Sequence, residues 1–305
     1  MTKTTDKEIK KWSGQSKTNW LGIWIFIQII RFAGLIPAYF LLVFVAFFYA
    51  LFNRSLHKYL RSFRKKIGLK TNFLHIYVHN FLFGLTMIDK FAFLYAKKSP
   101  FKSEIVGEHL FHSALNRGKG VVLLSSHIGP QEIAGEWLFN HTKVKINYLM
   151  LDNERKDIKK VTSKITEGRD VNIIPTNSDG LDMMVKVKAA LDRNEVVCLL
   201  GDRVMGDESA TEIPFLGSPV RFPTAAFTIA AITGAAIVIV ATIQTGYKKY
   251  THQAFNLISF DNVTRQNRSD VIHKAMLTYV STLEKIARLH YWQWFNFYDF
   301  WNEFP

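Results

Sequence analysis

The sequence predicts an α/β fold with a mostly parallel central sheet flanked by helices, preceded by an N-terminal membrane helix. Three observations lead there. From residue 121 onward, short apolar runs alternate with amphipathic stretches, as strands and helices do when taken in turn. Residues 32–52 form an uncharged stretch of 21 residues, about what a helix needs to cross the bilayer core. The basic charge is confined to the N-terminal end. Residues 1–70 carry 13 Lys+Arg against 2 Asp+Glu, and residues 71–305 carry 26 against 23.

At 305 residues the chain suits one large domain, or one domain plus an appendage, and buries a full core without staples. Hydrophobic residues make up 48%, which excludes a disordered chain. Most of the chain is too polar to lie in lipid, which excludes a polytopic transporter. The lone cysteine, Cys198, excludes an intramolecular disulfide and any multi-cysteine metal site, and it fits a reducing compartment. A net +14 of which +11 falls within residues 1–70 argues against a basic nucleic-acid-binding domain.

The elements follow in order. Residues 1–19 are a basic flank, 20–52 a membrane-anchoring hydrophobic helix, and 53–305 the folded domain. Trp20, Trp24 and Arg31 precede the uncharged stretch, and Arg54, Lys58, Arg61, Arg64, Lys65, Lys66 and Lys70 follow it. Aromatic and cationic residues at both ends are what a membrane interface selects. The stretch is too long for a secretory signal and lacks a small-residue cleavage site; a buried core helix is the competing reading. Seven cations follow it within 54–70 and five lie within the flank 1–19, which places the body in the cytoplasm by a small margin. A helix lying in one leaflet satisfies the same pattern.

Residues 75–95 and 104–117 read as helices. The strand candidates are Val121–Ser125, Ile146–Met150, Val171–Ile174, Val196–Leu200, Ala236–Ala241 and Phe255–Ile258. The helix candidates are 130–140, 154–167, 180–193, 223–233 and 268–289. No internal repeat or long linker interrupts them.

The chemistry-bearing stretch is Ser125-Ser126-His127-Ile128-Gly129-Pro130-Gln131-Glu132. A strand ends at Ser126, and Pro130 suits the first position of a helix. His127 then lies on the loop at the C-terminal edge of the sheet, where α/β domains place their sites. With His127 on the loop, Glu132 in the first helical turn can face it. A carboxylate accepting from one imidazole N–H leaves the other nitrogen to take a proton from a hydroxyl. The bland reading is a loop histidine and a glutamate that favours the helix N-terminus. Two further blocks follow: Asp182 to Val197, and Gly201-Asp202-Arg203 with Glu212-Ile-Pro-Phe-Leu-Gly217-Ser-Pro-Val-Arg221.

With these motifs on one chain, the sequence resembles the lipid A late acyltransferase family, within the wider glycerolipid acyltransferase group. The shared features are the N-terminal hydrophobic segment, Ser-His127-x4-Glu132, and Lys-Ala-Ala-Leu…Glu-Val-Val leading to Asp202. Pro-Phe-Leu-Gly217, Thr-Gly-Ala at 233–235 and Trp-Gln-Trp at 292–294 complete the set. They occur in the family's order over nearly the whole chain. The resemblance implies a glycerolipid-acyltransferase-like fold in the bacterial inner membrane with its catalytic face in the cytoplasm. It implies transfer of a fatty acyl group from an acyl carrier protein or coenzyme A thioester to a lipid or glycolipid hydroxyl, with no covalent acyl-enzyme and no metal or bound cofactor. Gln131 stands where the lipid A enzymes usually show Trp, and Gly201-Asp202-Arg203 replaces their Asp-Gln or Asp-His. These departures resemble a related branch associated with aryl-polyene or other unusual lipids.

The roles expected are His127 as general base and Glu132 as its orienting carboxylate. Asp202, Arg203, Gly217 and Arg221 are expected on the substrate side. Arg203 and Arg221 offer planar donors to a phosphate, carboxylate or thioester oxygen, or else pair with Asp202 or Asp207. Gly217 suits a turn. The basic flank at 54–70 suits lipid headgroups, and also an acidic acyl carrier protein. His75/His79 and His109/His112 have helical spacing but lack the His-x-x-His-His runs of membrane di-iron enzymes. Residues 291–301 hold many aromatics and suit an interfacial belt, a tunnel wall, or a segment packed on the core. The alternative function is a non-catalytic, membrane-anchored lipid-binding or assembly protein on a degenerate acyltransferase fold.

Overall fold

The computed structural model describes residues 20–95, 100–134, 142–150, 171–176, 180–204 and 209–301. Four helices come first: α1 (Trp20–Ala33), α2 (Leu35–Phe52), α3 (Arg54–Lys66) and α4 (Phe73–Tyr95). The α/β body follows as β1 (Lys102–Val106), α5 (Glu108–Leu115), β2 (Val121–Ser125), a 3-10 turn (Gln131–Ala134), β3 (Ile146–Met150) and β4 (Val171–Pro175). After these come α6 (Gly180–Asp192), β5 (Val196–Leu200), β6 (Ala210–Phe215), β7 (Ser218–Pro223) and α7 (Ala225–Thr233). The last are β8 (Ala236–Gly246), β9 (Lys249–Ile258), α8 (Arg268–Leu289) and a 3-10 turn (Tyr291–Gln293).

Seven strands form one sheet in the order β1-β9-β8-β2-β5-β3-β4, parallel except where β8 meets β9. The fold is therefore the α/β class with a mostly parallel sheet. β2 lies at its centre, and all five of its residues are buried. An unbroken apolar run is what a strand covered on both faces requires. Its side chains alternate between two layers. Val122 and Leu124 meet α6, α7 and α8 through Val187, Phe227 and Met276. Val121 and Leu123 meet α5 through Phe111 and Ala114. Each such Val or Leu contributes about 1.5–3 kcal/mol by leaving water.

The N-terminal segment differs from the single helix expected over 20–52. It breaks at Gly34, whose φ of +86° suits only glycine, and Gly34 N–H closes onto the Ile29 carbonyl at 3.0 Å. Pro37 then sits in the first turn of α2, where a missing N–H costs nothing. α2 has 18 residues and rises about 27 Å, whereas the 14 residues of α1 rise about 21 Å. Ala38, Leu42, Ala46 and Ala50 of α2 are buried at a four-residue repeat. Leu42 fills the space above Gly84 of α4, where a Cβ would stand 2.4 Å from its Cδ1. Tyr39 of α2 and Tyr250 of β9 both donate to Asp89 of α4, tying the helices to the sheet. The outer face of α2 exposes Ile36, Phe40, Phe44, Phe47, Phe48, Leu51 and Phe52.

Four further expectations are corrected or fall outside the described residues. The helix expected over 104–117 is β1 followed by the shorter α5. β1 adds to the edge strand β9, and Gly107 turns the chain with φ +78°. Residues 210–223, read only as a motif, form the separate β6–β7 hairpin. Prolines 214 and 219 face one another in it and weaken any sequence signal for strands. The helix expected over 154–167 lies outside the described residues. That over 130–140 is described only as the turn Gln131–Ala134.

Candidate active site at the sheet edge

β2 and β5 are parallel neighbours with Ser125 opposite Leu200. Two residues beyond each partner stand His127 and Asp202, so the register itself brings this pair to the same edge. The strand ends are pinned there. Ser125 O accepts from Gly201 N–H and from the Tyr279 hydroxyl, each at 2.9 Å. Ser125 Oγ donates to Val240 O at 2.9 Å.

Asp202 grips His127 twice. Its Oδ1 is 2.8 Å from the ring Nδ1, and its Oδ2 accepts the His127 backbone N–H at 3.0 Å. An ionised carboxylate only accepts, so the ring proton sits on Nδ1 and Nε2 keeps its lone pair. The Asp202 side chain is fully buried, whereas that of His127 is 26% exposed. Burial alone pushes the Asp202 carboxyl up. The adjoining His127, then Arg203 and the Asn296 amide, outweigh it and hold the carboxyl down at about 2. The acid therefore stays charged beneath a ring that solvent reaches.

A strap from the C-terminal end closes the site from behind. Phe295 N–H donates to His127 O and Gly129 N–H to Gln293 O, both at 2.9 Å. Between them Ile128 and Trp294 form an isolated antiparallel bridge. Gln293 bonds both backbone groups of Gln244 on β8, at 2.9 and 2.8 Å. His79 of α4 donates from Nε2 to Trp294 O at 2.7 Å. Trp294 itself is buried between Phe63 of α3 and Phe215 of β6, with ring centroids at 5.2 and 5.6 Å. Of the three readings of the aromatic ending, the residues around Trp294 follow the last: they pack on the core.

The other sequence-predicted residues separate. The Arg203 guanidinium donates from Nε to Asn296 Oδ1 at 2.7 Å and from Nη2 to Phe295 O at 3.2 Å, and it lies over the Tyr298 ring. Gly217 occupies the β6–β7 turn with Leu216, at φ +77° and +51°, a type I′ arrangement. Arg221 is exposed on β7 opposite Glu212. Glu132 stands in the turn Gln131–Ala134, and its side chain lies outside the described residues. Sequence reasoning paired His127 with Glu132 by proximity along the chain. It missed Asn296, whose signal would have been strand register plus the polar residue following Trp294-Phe295.

Other titratable groups have structural places. His79 is fully buried, and burial pushes it down to about 4. His112 pairs with Glu108 one turn away. Among the described residues, no group of three His, Cys, Asp or Glu gathers as a metal site. Burial pushes the Cys198 thiol up to about 12, which leaves it protonated.

Fold and pair define a class: an α/β protein whose mostly parallel sheet presents a partly exposed histidine, backed by a buried carboxylate, at its edge. The chain belongs to the bacterial lipid A biosynthesis acyltransferase family, whose profile matches residues 10–302. Membership implies an acyltransferase that acts on lipid, with an acyl donor and a lipid acceptor. Comparison with curated proteins gives no significant match.

Proposed function

We propose that the protein is a membrane-bound O-acyltransferase moving a fatty acyl group from an acyl carrier protein or coenzyme A thioester to a lipid or glycolipid hydroxyl. The observation that carries this reading is the His127–Asp202 contact, with no partner to Nε2 among the described residues on a partly exposed ring. His127 Nε2 takes the acceptor's hydroxyl proton as its oxygen bonds to the thioester carbonyl carbon. The resulting oxyanion collapses, the C–S bond breaks, and the proton passes from His127 to the leaving sulfur. Asp202 holds the tautomer and stabilises the imidazolium between these steps. Glu132 is retained as a second carboxylate for the reaction.

The exposed phenylalanines of α2 enter the bilayer. Arg54, Lys58, Arg61 and Lys65 recur at helical spacing on the exposed side of α3 and meet anionic headgroups of the inner membrane's cytoplasmic leaflet.

The test compares lipid extracts by mass from a host expressing wild type or His127→Ala in matched membranes. A lipid heavier by one acyl group, present only with wild type, supports transfer and identifies the acceptor. Identical lipidomes, with both proteins folded and inserted and the acceptor present, would overturn it in favour of a lipid-binding role.

A further inference from the structure

We infer that Asn296 is a positioning residue for this reaction, its amide standing between Arg203 and Asp202 and fixing the carboxylate that orients His127. The inference rests on the reading of His127 as the base. Asn296 is buried, at 3% exposure. Its Nδ2 donates to Asp202 Oδ2 at 2.8 Å, and its Oδ1 accepts from Arg203 Nε at 2.7 Å. The amide cannot usefully be reversed, because its oxygen faces a cation and its nitrogen an anion.

The geometry gives Asn296 a task that space-filling does not. Asp202 Oδ2 receives two donors, the Asn296 amide and the His127 backbone N–H. These stop the carboxylate turning about its last bond, so Oδ1 faces only one way, onto His127 Nδ1 at 2.8 Å. A carboxylate without the amide can swing, and the ring then loses its fixed tautomer. The amide also draws electron density from Oδ2, which tempers how strongly Asp202 holds the imidazolium proton. Arg203 backs the amide from the far side and is itself held by Phe295 O and Tyr298. The side chain assigned to substrate from the sequence is thus directed at the strap.

Among the described residues, the titratable groups around the pair are Arg203, Tyr279 on α8 and Tyr298 beyond the strap, with His79 of α4 behind Trp294. Burial first, then the Asp202 charge, raises both tyrosine hydroxyls, so they stay neutral through the working range. A shift in the acid limb of activity on changing Asn296 therefore reports the Asp202–His127 pair.

The experiment uses the full chain in detergent, with palmitoyl-coenzyme A or palmitoyl–acyl carrier protein as donor and a lipid extract of Gram-negative cells as acceptor. The donor retained is the one for which wild type turns over. Four proteins are compared: wild type, His127→Ala, Asn296→Ala and Asn296→Leu. The last fills nearly the same volume but offers no donor to Asp202, while Arg203 keeps its bond to Phe295 O. Both Asn296 variants are expected to lose tenfold or more in kcat with the donor KM within about twofold. The acid limb of kcat/KM moves to higher pH in both, since each removes the donor that tempers Asp202 toward the ring. A folded Asn296→Leu with wild-type kcat and an unmoved limb overturns the inference, even if Asn296→Ala fails to fold. A fully active His127→Ala overturns the base assignment instead, whatever the Asn296 variants do.

Discussion

His127 Nδ1 and Asp202 Oδ1 stand 2.8 Å apart across 75 residues of chain, at the ends of two neighbouring parallel strands. This contact makes a sharp prediction. His127→Ala and Asp202→Asn should each lower acyl-transfer turnover by about 10²-fold or more, the scale of general-base catalysis. Asp202→Asn keeps the shape but offers the ring no anion. Initial rates with a labelled thioester donor, at matched thermal stability, check both. Wild-type turnover in Asp202→Asn would show that the contact is structural only.

Cys198 lies within β5, and its thiol is held protonated by burial. A covalent acyl-cysteine route therefore has no nucleophile there. Cys198→Ala is expected to keep activity within about twofold, allowing for one core atom lost. Loss of activity together with a trapped acyl-enzyme by mass spectrometry would refute this.

His79 sets a pH dependence of stability. Its ordinary value is 6.5, and burial lowers it to about 4 in the fold. The unfolded chain thus takes up a proton below pH 6.5 that the native state refuses. Stability is fully present above that pH and falls by about 3 kcal/mol as pH drops to 4. His252, also lowered to about 4 by burial, adds to the slope. Denaturant titrations from pH 7 to pH 4 check this, and His79→Gln should remove about half of the dependence.

Gly129 turns the site loop with φ +68°, and a Cβ there would fall 1.9 Å from Thr242 O on β8. Gly129→Ala must move a backbone strand or the loop. It is expected to cost about 2 kcal/mol or more and to displace His127. Thermal unfolding and turnover should fall together, whereas Gly217→Ala, with open space around its Cβ position, meets only backbone strain.

The exposed cations of α3 continue directly from the apolar end of α2. Replacing Arg54, Arg61 and Lys65 by Glu should weaken binding to vesicles rich in phosphatidylglycerol. Each cation near an anionic surface is worth about 1 kcal/mol. Wild-type binding should also weaken between about 0.1 M and 1 M salt, as the screening length shortens. Equal sedimentation of both proteins with charged and neutral vesicles would remove α3 from the interface.

Much of this architecture was written locally. The run Val121–Ser125 had to be a central strand because it is apolar at every position, and the helix at 268–289 carries its buried face at regular spacing. Even the break at Gly34 was legible afterwards in glycine followed by proline, although hydropathy alone read through it. β1 was hidden because its five residues are mostly exposed and its strand geometry comes from pairing with β9. Hairpin β6–β7 was hidden behind its prolines.

The sequence by itself determined that a histidine would stand on a loop at a sheet edge, in a chain that opens with an apolar helical segment. Local periodicity and composition suffice for that, since each depends on residues a few positions apart. Only the tertiary structure decided which carboxylate faces the described ring. Strand order places β5 beside β2, and register then sets Asp202 against His127. It also decided that Asn296, from the far end of the chain, joins Arg203 in completing that contact. Such pairings depend on how distant segments close onto one another, and no local pattern records that.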